Sequence, residues 1–209
     1  IKQTFKHFVG AELNDEDIIK AKNTGKFNND WDLTQYLINK AGFEINIDEI
    51  IQKFQSIYWD KGKGVINNET LIISPNVLKE LSEKYHIALF TGRPKIEANH
   101  SLQHFKIDQY FDFKITMDDV PYHKQKPDIL GLTKIFKNIM TNKLYYLGDS
   151  VADIICAKKF NENYNYCCIS IGINTHNNKD ILLDYGADEV LDNANEILEY
   201  LKNNIESEY

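Results

Sequence analysis

The chain has 209 residues, 43% of them hydrophobic and 12% aromatic, with a formal net charge of −7. That is enough apolar material for a buried core with a smaller appended lobe, and it excludes a disordered chain. The acidic balance argues against nucleic-acid binding, which needs a basic face, and no apolar run reaches the ~20 residues of a membrane span. No signal-peptide pattern opens the chain, so a cytoplasmic protein without nucleic-acid or membrane partners is expected. Nothing in the residues assigns an oligomeric state.

The chain opens at Ile1, without a methionine, inside the helix-like segment Lys2 to Val9. Asn14-Asp15-Glu16-Asp17 is an acidic helix start. Asn29 or Asp30 caps a second helix carrying Trp31, Leu33, Tyr36, Leu37 and Ile38, and Gly42 stops it. A further helix runs from about Asp48 through Tyr58. Lys61-Gly62-Lys63-Gly64 reads as a linker. The expected division is an all-helical unit over residues 1–66, with a linker near 61–71, and a second unit over 67–209.

In the second unit helices and strands alternate. Ser74-Pro75 starts a helix with proline at its first position. Strand Ile87–Phe90, a helix from Ile96 to Phe105 and a strand from Phe113 to Met117 follow. A helix from Pro127 to Ile139 leads to strand Leu144–Leu147. A helix carrying Asp149 and Asp153, strand Cys167–Ile171, helix Lys179–Tyr185, strand Glu189–Leu191 and a helix from Asn195 to about Asn204 complete the chain. Such alternation predicts an α/β fold with a parallel sheet covered by helices on both faces. Cys156, Cys167 and Cys168 fit neither a disulfide framework nor a CxxC metal site and read as buried free thiols. Cys167 and Cys168 are expected on opposite faces of one strand.

Three segments follow predicted strands or open predicted helices and carry chemistry. Phe90-Thr91-Gly92-Arg93 offers a hydroxyl, a glycine and exposed N–H groups that can cradle an anion. Lys124-Gln125-Lys126-Pro127-Asp128 offers positive charge before a helix. Gly148-Asp149-Ser150-Val151-Ala152-Asp153 places two carboxylates four residues apart. On one helix face they repel unless a hard cation lies between them, and Mg²⁺ is the usual choice where phosphate is handled. Each segment alone also suits an ordinary turn or helix cap. The three together, in this order, suit a phosphoryl group with its metal.

These segments resemble the second, third and fourth motifs of the haloacid dehalogenase superfamily, a family of phosphatases and related hydrolases. The likeness covers roughly residues 70 to 209 and includes Tyr185-Gly186-Ala187-Asp188-Glu189-Val190. It implies a Rossmann-like core with a small helical cap domain. It also implies Thr91, Gly92 and Arg93 holding phosphate, Lys126 offsetting negative charge, and Asp149 binding Mg²⁺ with Asp153 as a ligand or an orienting group. Ala21-Lys22-Asn23-Thr24-Gly25 with Asn28-Asn29-Asp30-Trp31 resembles a subfamily named for its relation to imidazoleglycerol-phosphate dehydratase. Lys22, Asn28, Asn29 and Trp31 either contact the substrate's leaving group or form a solvated loop with a core tryptophan.

The family's first motif, a strand ending in Asp-x-Asp whose first aspartate attacks phosphorus, has no counterpart from Ile1 onward. Asp15 and Asp17 match the spacing, but they lie in a helix start with no strand before them. The core is therefore expected to lack its central N-terminal strand, and an upstream strand and loop of about 15–20 residues is expected in the natural protein. The resulting expectation is a Mg²⁺-dependent phosphatase-like hydrolase of a small phosphorylated metabolite, working through an aspartyl-phosphate. The alternative is a degenerate family member that binds a phosphorylated ligand or a protein partner without turnover.

Overall fold

The computed structural model describes residues 1–165, 167–175 and 177–205. They fall into two compact units, Ile1–Glu69 and the chain from Thr70 onward.

Four helices build the first unit: α1 Lys2–Val9, α2 Asp15–Lys22, α3 Asp30–Lys40 and α4 Ile47–Tyr58. Three begin the same way. Asn14, Asn29 and Asn46 hold extended backbone and accept, through their side chains, from the N–H two residues on. Each satisfies a donor that the first helical turn leaves without a partner. The helices close on Phe5, Leu13, Ala21, Leu33, Leu37, Ile38 and Ile50. Leu33, Ile38 and Ile50 are fully buried, each worth about 1.5–3 kcal/mol of hydrophobic stabilisation. Asp15 and Asp17 lie on α2 and pair with Lys2 at 2.7 Å and Lys40 at 3.2 Å. Two short 3₁₀ turns, Asp60–Gly62 and Val65–Asn68, occupy the stretch read as a linker.

The second unit alternates helix and strand: α5 Pro75–Ser82, β1 Ala88–Phe90, α6 Lys95–His104, β2 Phe113–Ile115, α7 Leu130–Ile139 and β3 Leu144–Gly148. It continues with α8 Val151–Asn163, β4 Cys168–Ile173, α9 Lys179–Asp184, β5 Glu189–Leu191 and α10 Ile197–Ile205. All strand pairings are parallel, and they form two sheets: β1 with β2, and β3-β4-β5 in that order. Among the described residues no ladder joins β1 to β3.

Strand periodicity explains the layering. Ile169, Ile171 and Ile173 of β4 pack with Leu81 of α5 and Ile197 and Leu201 of α10. Cys168, on the opposite face, packs with Leu132 of α7 and Cys156 and Phe160 of α8. The shorter sheet behaves alike: Leu89 faces Leu78 and Leu102, while Ala88 and Phe90 face Ile135. Both sheets are therefore covered by helices on two sides, as an α/β reading requires.

Two local expectations change. The helix expected from Pro127 starts at Leu130, because the Asp128 side chain accepts from the Leu130 N–H at 2.9 Å and caps the turn before it. Cys167 precedes β4, so strand alternation does not separate it from Cys168, and both pack in the same cluster. All three thiols are free; Cys156 and Cys168 are buried and Cys167 is half-buried.

Candidate active site

Lys126 is the hub that ties the polar segments together. Its Nζ lies 3.3 Å from the Phe90 carbonyl oxygen, at the end of β1, and 5.0 Å from the Phe90 ring centroid. It also donates to Asp153 Oδ1 at 2.7 Å, just after β3. The two charged side chains are only 9% and 7% exposed. Charges this deep persist only when paired and hydrogen-bonded.

Asp153 meets that condition fully. Oδ1 also accepts from the Tyr146 hydroxyl at 2.7 Å, and Oδ2 accepts from Ser150 Oγ at 2.6 Å and Ser150 N at 3.3 Å. Ser150 returns the bond as the N-cap of α8, its Oγ accepting from Asp153 N, which makes a reciprocal capping box. Burial alone would raise the Asp153 pKa. The Lys126 charge and the hydrogen bonds from Lys126, Ser150 and Tyr146 outweigh it and hold the carboxyl below its ordinary 3.8. Burial, and then the Asp153 charge, push the Tyr146 phenol well above 10.0, so it stays a donor. Gly148 is required here: a Cβ on it would lie 2.5 Å from Asp153 Cγ and closer still to its Cβ.

Asp149 has a different setting. Ser150 is the extended N-cap, so Asp149 lies before the helix and does not share a helical face with Asp153. The geometric basis expected for a carboxylate pair is therefore replaced by two separate roles. Both Asp153 oxygens are engaged by protein donors, while half-buried Asp149 contacts Thr175 Oγ1 at 3.3 Å through Oδ2. Among the described residues no group of three or more His, Cys, Asp or Glu is set to hold a metal. Mg²⁺ does not need one, since it binds through one or two carboxylates and keeps waters and substrate oxygens as its other ligands. The Asp149 carboxylate, half-buried after β3 with Thr175 Oγ1 3.3 Å from its Oδ2, is an oxygen donor that fits it.

The turn after β1 is an ordered anion-type loop. Thr91 N pairs with Ile115 O at 2.9 Å, and Arg93 N points to Thr91 Oγ1 at 3.3 Å. The Thr91 hydroxyl accepts there and keeps its own proton to donate. The Arg93 guanidinium donates to Ser101 Oγ at 3.3 Å on α6. Gly92 is half-buried between them.

The remaining expected residues belong to the first unit. Asn29 caps α3 through Trp31 N at 2.8 Å, and Lys22 pairs with Asp30 at 3.0 Å. The Nδ2 atoms of Asn28 and Asn29 are buried without a hydrogen-bond partner, and Trp31 is half-buried.

Sequence reasoning missed a contributor. The loop from β4 to α9, with Asn174, Thr175 and Asn178, reaches the Asp149 turn, Asn178 Nδ2 lying 3.5 Å from the Asp149 carbonyl oxygen. The signal was available: a polar cluster directly after a buried strand, at the carboxyl end of a parallel sheet.

A parallel α/β unit whose strand ends gather a hydroxyl turn, a buried lysine and a carboxylate turn is the architecture of a ligand-binding α/β protein. The chain belongs to the haloacid dehalogenase-like hydrolases, whose family profile matches residues 1–165. It is 30% identical to an imidazoleglycerol-phosphate dehydratase of Phytophthora nicotianae over 76% of this chain and 36% of that protein. It is 27% identical to a phosphorylated carbohydrates phosphatase of Thermotoga maritima over 54% of each. The chain thus spans between about a third and about half of the length of these curated relatives. A hydrolase from Pseudomonas syringae shares the fold with a TM-score of 0.73 at 18% identity, over 97% of this chain and 89% of that one.

Proposed function

We propose that this chain forms the phosphate-handling part of a Mg²⁺-dependent phosphatase that hydrolyses a small phosphorylated metabolite through an aspartyl-phosphate. The observation that carries the reading is buried Lys126, held between the end of β1 and Asp153 after β3. A lysine so placed offers a fixed positive charge where phosphoryl oxygens would gather, without reorganisation during reaction. Thr91 would donate its hydroxyl to the same oxygens, with the Gly92 and Arg93 turn shaping the cradle. Asp153 acts through Lys126 and holds its ammonium in place. Asp149 would hold Mg²⁺, which when bound neutralises phosphoryl charge.

The nucleophilic aspartate is expected upstream of Ile1, on a strand whose place in the sheet is between β1 and β3. The division of the core into two parallel sheets, β1-β2 and β3-β4-β5, with the Phe90 ring of β1 and the Tyr146 ring of β3 6.3 Å apart, supports that expectation. The Lys22–Trp31 segment supports membership of the subfamily named for imidazoleglycerol-phosphate dehydratase. Dehydratase chemistry does not follow, because the chain matches 36% of the relative so named. The phosphatase relative favours phosphoryl transfer.

The test is phosphate release from a simple phosphate monoester by the complete encoded protein, with Mg²⁺ and with chelator. Hydrolysis should require the metal, and Asp149→Asn should lose activity chiefly through weaker Mg²⁺ binding. Folded wild-type protein without turnover would instead favour the non-catalytic binder.

A further inference from the structure

The proposed phosphoryl chemistry leaves one polar group beside Lys126 without a role, the Tyr146 hydroxyl. Alternation along β3 turns Leu144 and Tyr146 toward Leu132 of α7 and Cys156 and Phe160 of α8, while Tyr145 and Leu147 turn to the opposite face. Tyr146 pairs with Ser170 in the β3–β4 ladder, and its ring stacks on Phe90 with centroids 6.3 Å apart. In such apolar company a phenylalanine would suffice for packing. The hydroxyl instead reaches the first turn of α8 and donates to Asp153 Oδ1 at 2.7 Å. The lone pairs of Asp153 define what this bond does. A carboxylate offers about four acceptor positions, shared equally by its oxygens. Those of Oδ2 take Ser150 N and Ser150 Oγ. Those of Oδ1 take the Tyr146 hydroxyl and the Lys126 ammonium, each at 2.7 Å. Every position is then filled, and Lys126 has a single place on Asp153 to stand.

We propose that Tyr146 is a positioning residue for Lys126: by occupying one acceptor position of Asp153 Oδ1, it confines the ammonium to the other. The inference rests on the reading of Lys126 as the fixed charge for phosphoryl oxygens. An ammonium is a point charge with rotating donors on a flexible stem, so its acceptors, and not its own shape, decide where it sits. Among the described residues the other acceptor for Nζ is the Phe90 carbonyl oxygen, at a longer 3.3 Å. Burial, and then the Asp153 charge, hold the phenol well above its ordinary 10.0, so it keeps the proton it donates. Without that hydroxyl, Oδ1 opens a second position and Lys126 gains freedom to shift. Preorganised charge stabilises a transition state only where it is held in place, and a displacement of about 1 Å can cost about 10²-fold. Tyr146→Phe keeps the ring and removes part of the confinement, since Phe90 O still holds Nζ, so a smaller loss follows.

A double-mutant cycle on the complete protein tests this, with phosphate release from a simple phosphate monoester measured in Mg²⁺ for wild type, Tyr146→Phe, Lys126→Met and the two changes together. Tyr146→Phe should lower kcat about 10-fold and leave KM within about 2-fold, the pattern of an interaction made in the transition state. Once Lys126 is methionine, the same change should cost nothing further, because its whole effect passes through the ammonium. Wild-type kcat in folded Tyr146→Phe, or an equal fold loss in both backgrounds, overturns the role of Tyr146 and leaves the Lys126 reading standing. Wild-type rates in Lys126→Met, or no release by folded wild type, overturn both. Should circular dichroism show either protein carrying Lys126→Met to be unfolded, Tyr146→Phe decides alone. A loss confined to kcat then sustains the proposal, and any other pattern refutes it.

Discussion

Replacing Asp153 with alanine removes the anion from a deeply buried ion pair of the second unit. The pair is 2.7 Å apart, with side chains 9% and 7% exposed, so truncation strands the Lys126 ammonium and leaves the Tyr146 hydroxyl without its acceptor. Breaking a buried pair from one side costs about 3–5 kcal/mol. With a urea dependence of about 2 kcal/mol/M, the unfolding midpoint should fall by roughly 2 M. Removing both charges together, in Lys126→Met with Asp153→Leu, should cost less than the sum of the two single changes, by about 2–3 kcal/mol. Both tryptophans, Trp31 and Trp59, lie in Ile1–Glu69, so their fluorescence follows the wrong unit. Far-ultraviolet circular dichroism, which sees the helices of both units, is the suitable probe. A midpoint shift below about 0.5 M for Asp153→Ala, or additivity in the double variant, would refute the reasoning.

The remaining predictions concern the same turn. Gly148→Ala drives a methyl into Asp153, with Cγ at 2.5 Å, and should cost about 3 kcal/mol or more because both atoms sit on backbone-anchored positions; wild-type stability in urea would contradict the described packing. The Asp153 carboxyl is held below its ordinary value, so its contribution to stability is complete above the unfolded pKa near 4 and is lost as pH falls through the folded value. Unfolding midpoints measured between about pH 6 and about pH 2 should therefore drop more steeply in wild type than in Asp153→Asn, and equal slopes would remove the assignment.

Much of this fold was legible because strands and helices alternate with clean punctuation. Asn14 and Asn29 mark helix starts, and the apolar run Leu144–Leu147 ends at Gly148. The three polar segments were visible because each follows or precedes such a run. What sequence could not show is how the carboxylates divide their work. Asp149 and Asp153 look equivalent at four-residue spacing, yet Ser150 sets the helix boundary between them and turns Asp153 into the partner of Lys126. That contact spans 27 positions, and nothing local encodes it. Asn178 escaped for a related reason. Asn174, Thr175 and Asn178 are ordinary turn residues, and only the fold brings them against Asp149. The start of α7 shifted because Asp128 spends its side chain on Leu130 N and delays the first helical turn.

The measurement that bears most directly on the central claim is the rate of phosphate release from a simple monoester, with Mg²⁺, by the complete protein and by its Lys126→Met variant. If Lys126 is the fixed positive charge of a phosphoryl-transfer site, wild type should turn over and the folded variant should be slower by about 10²–10³-fold. Equal rates in the two proteins, or no release by folded wild type, would contradict it.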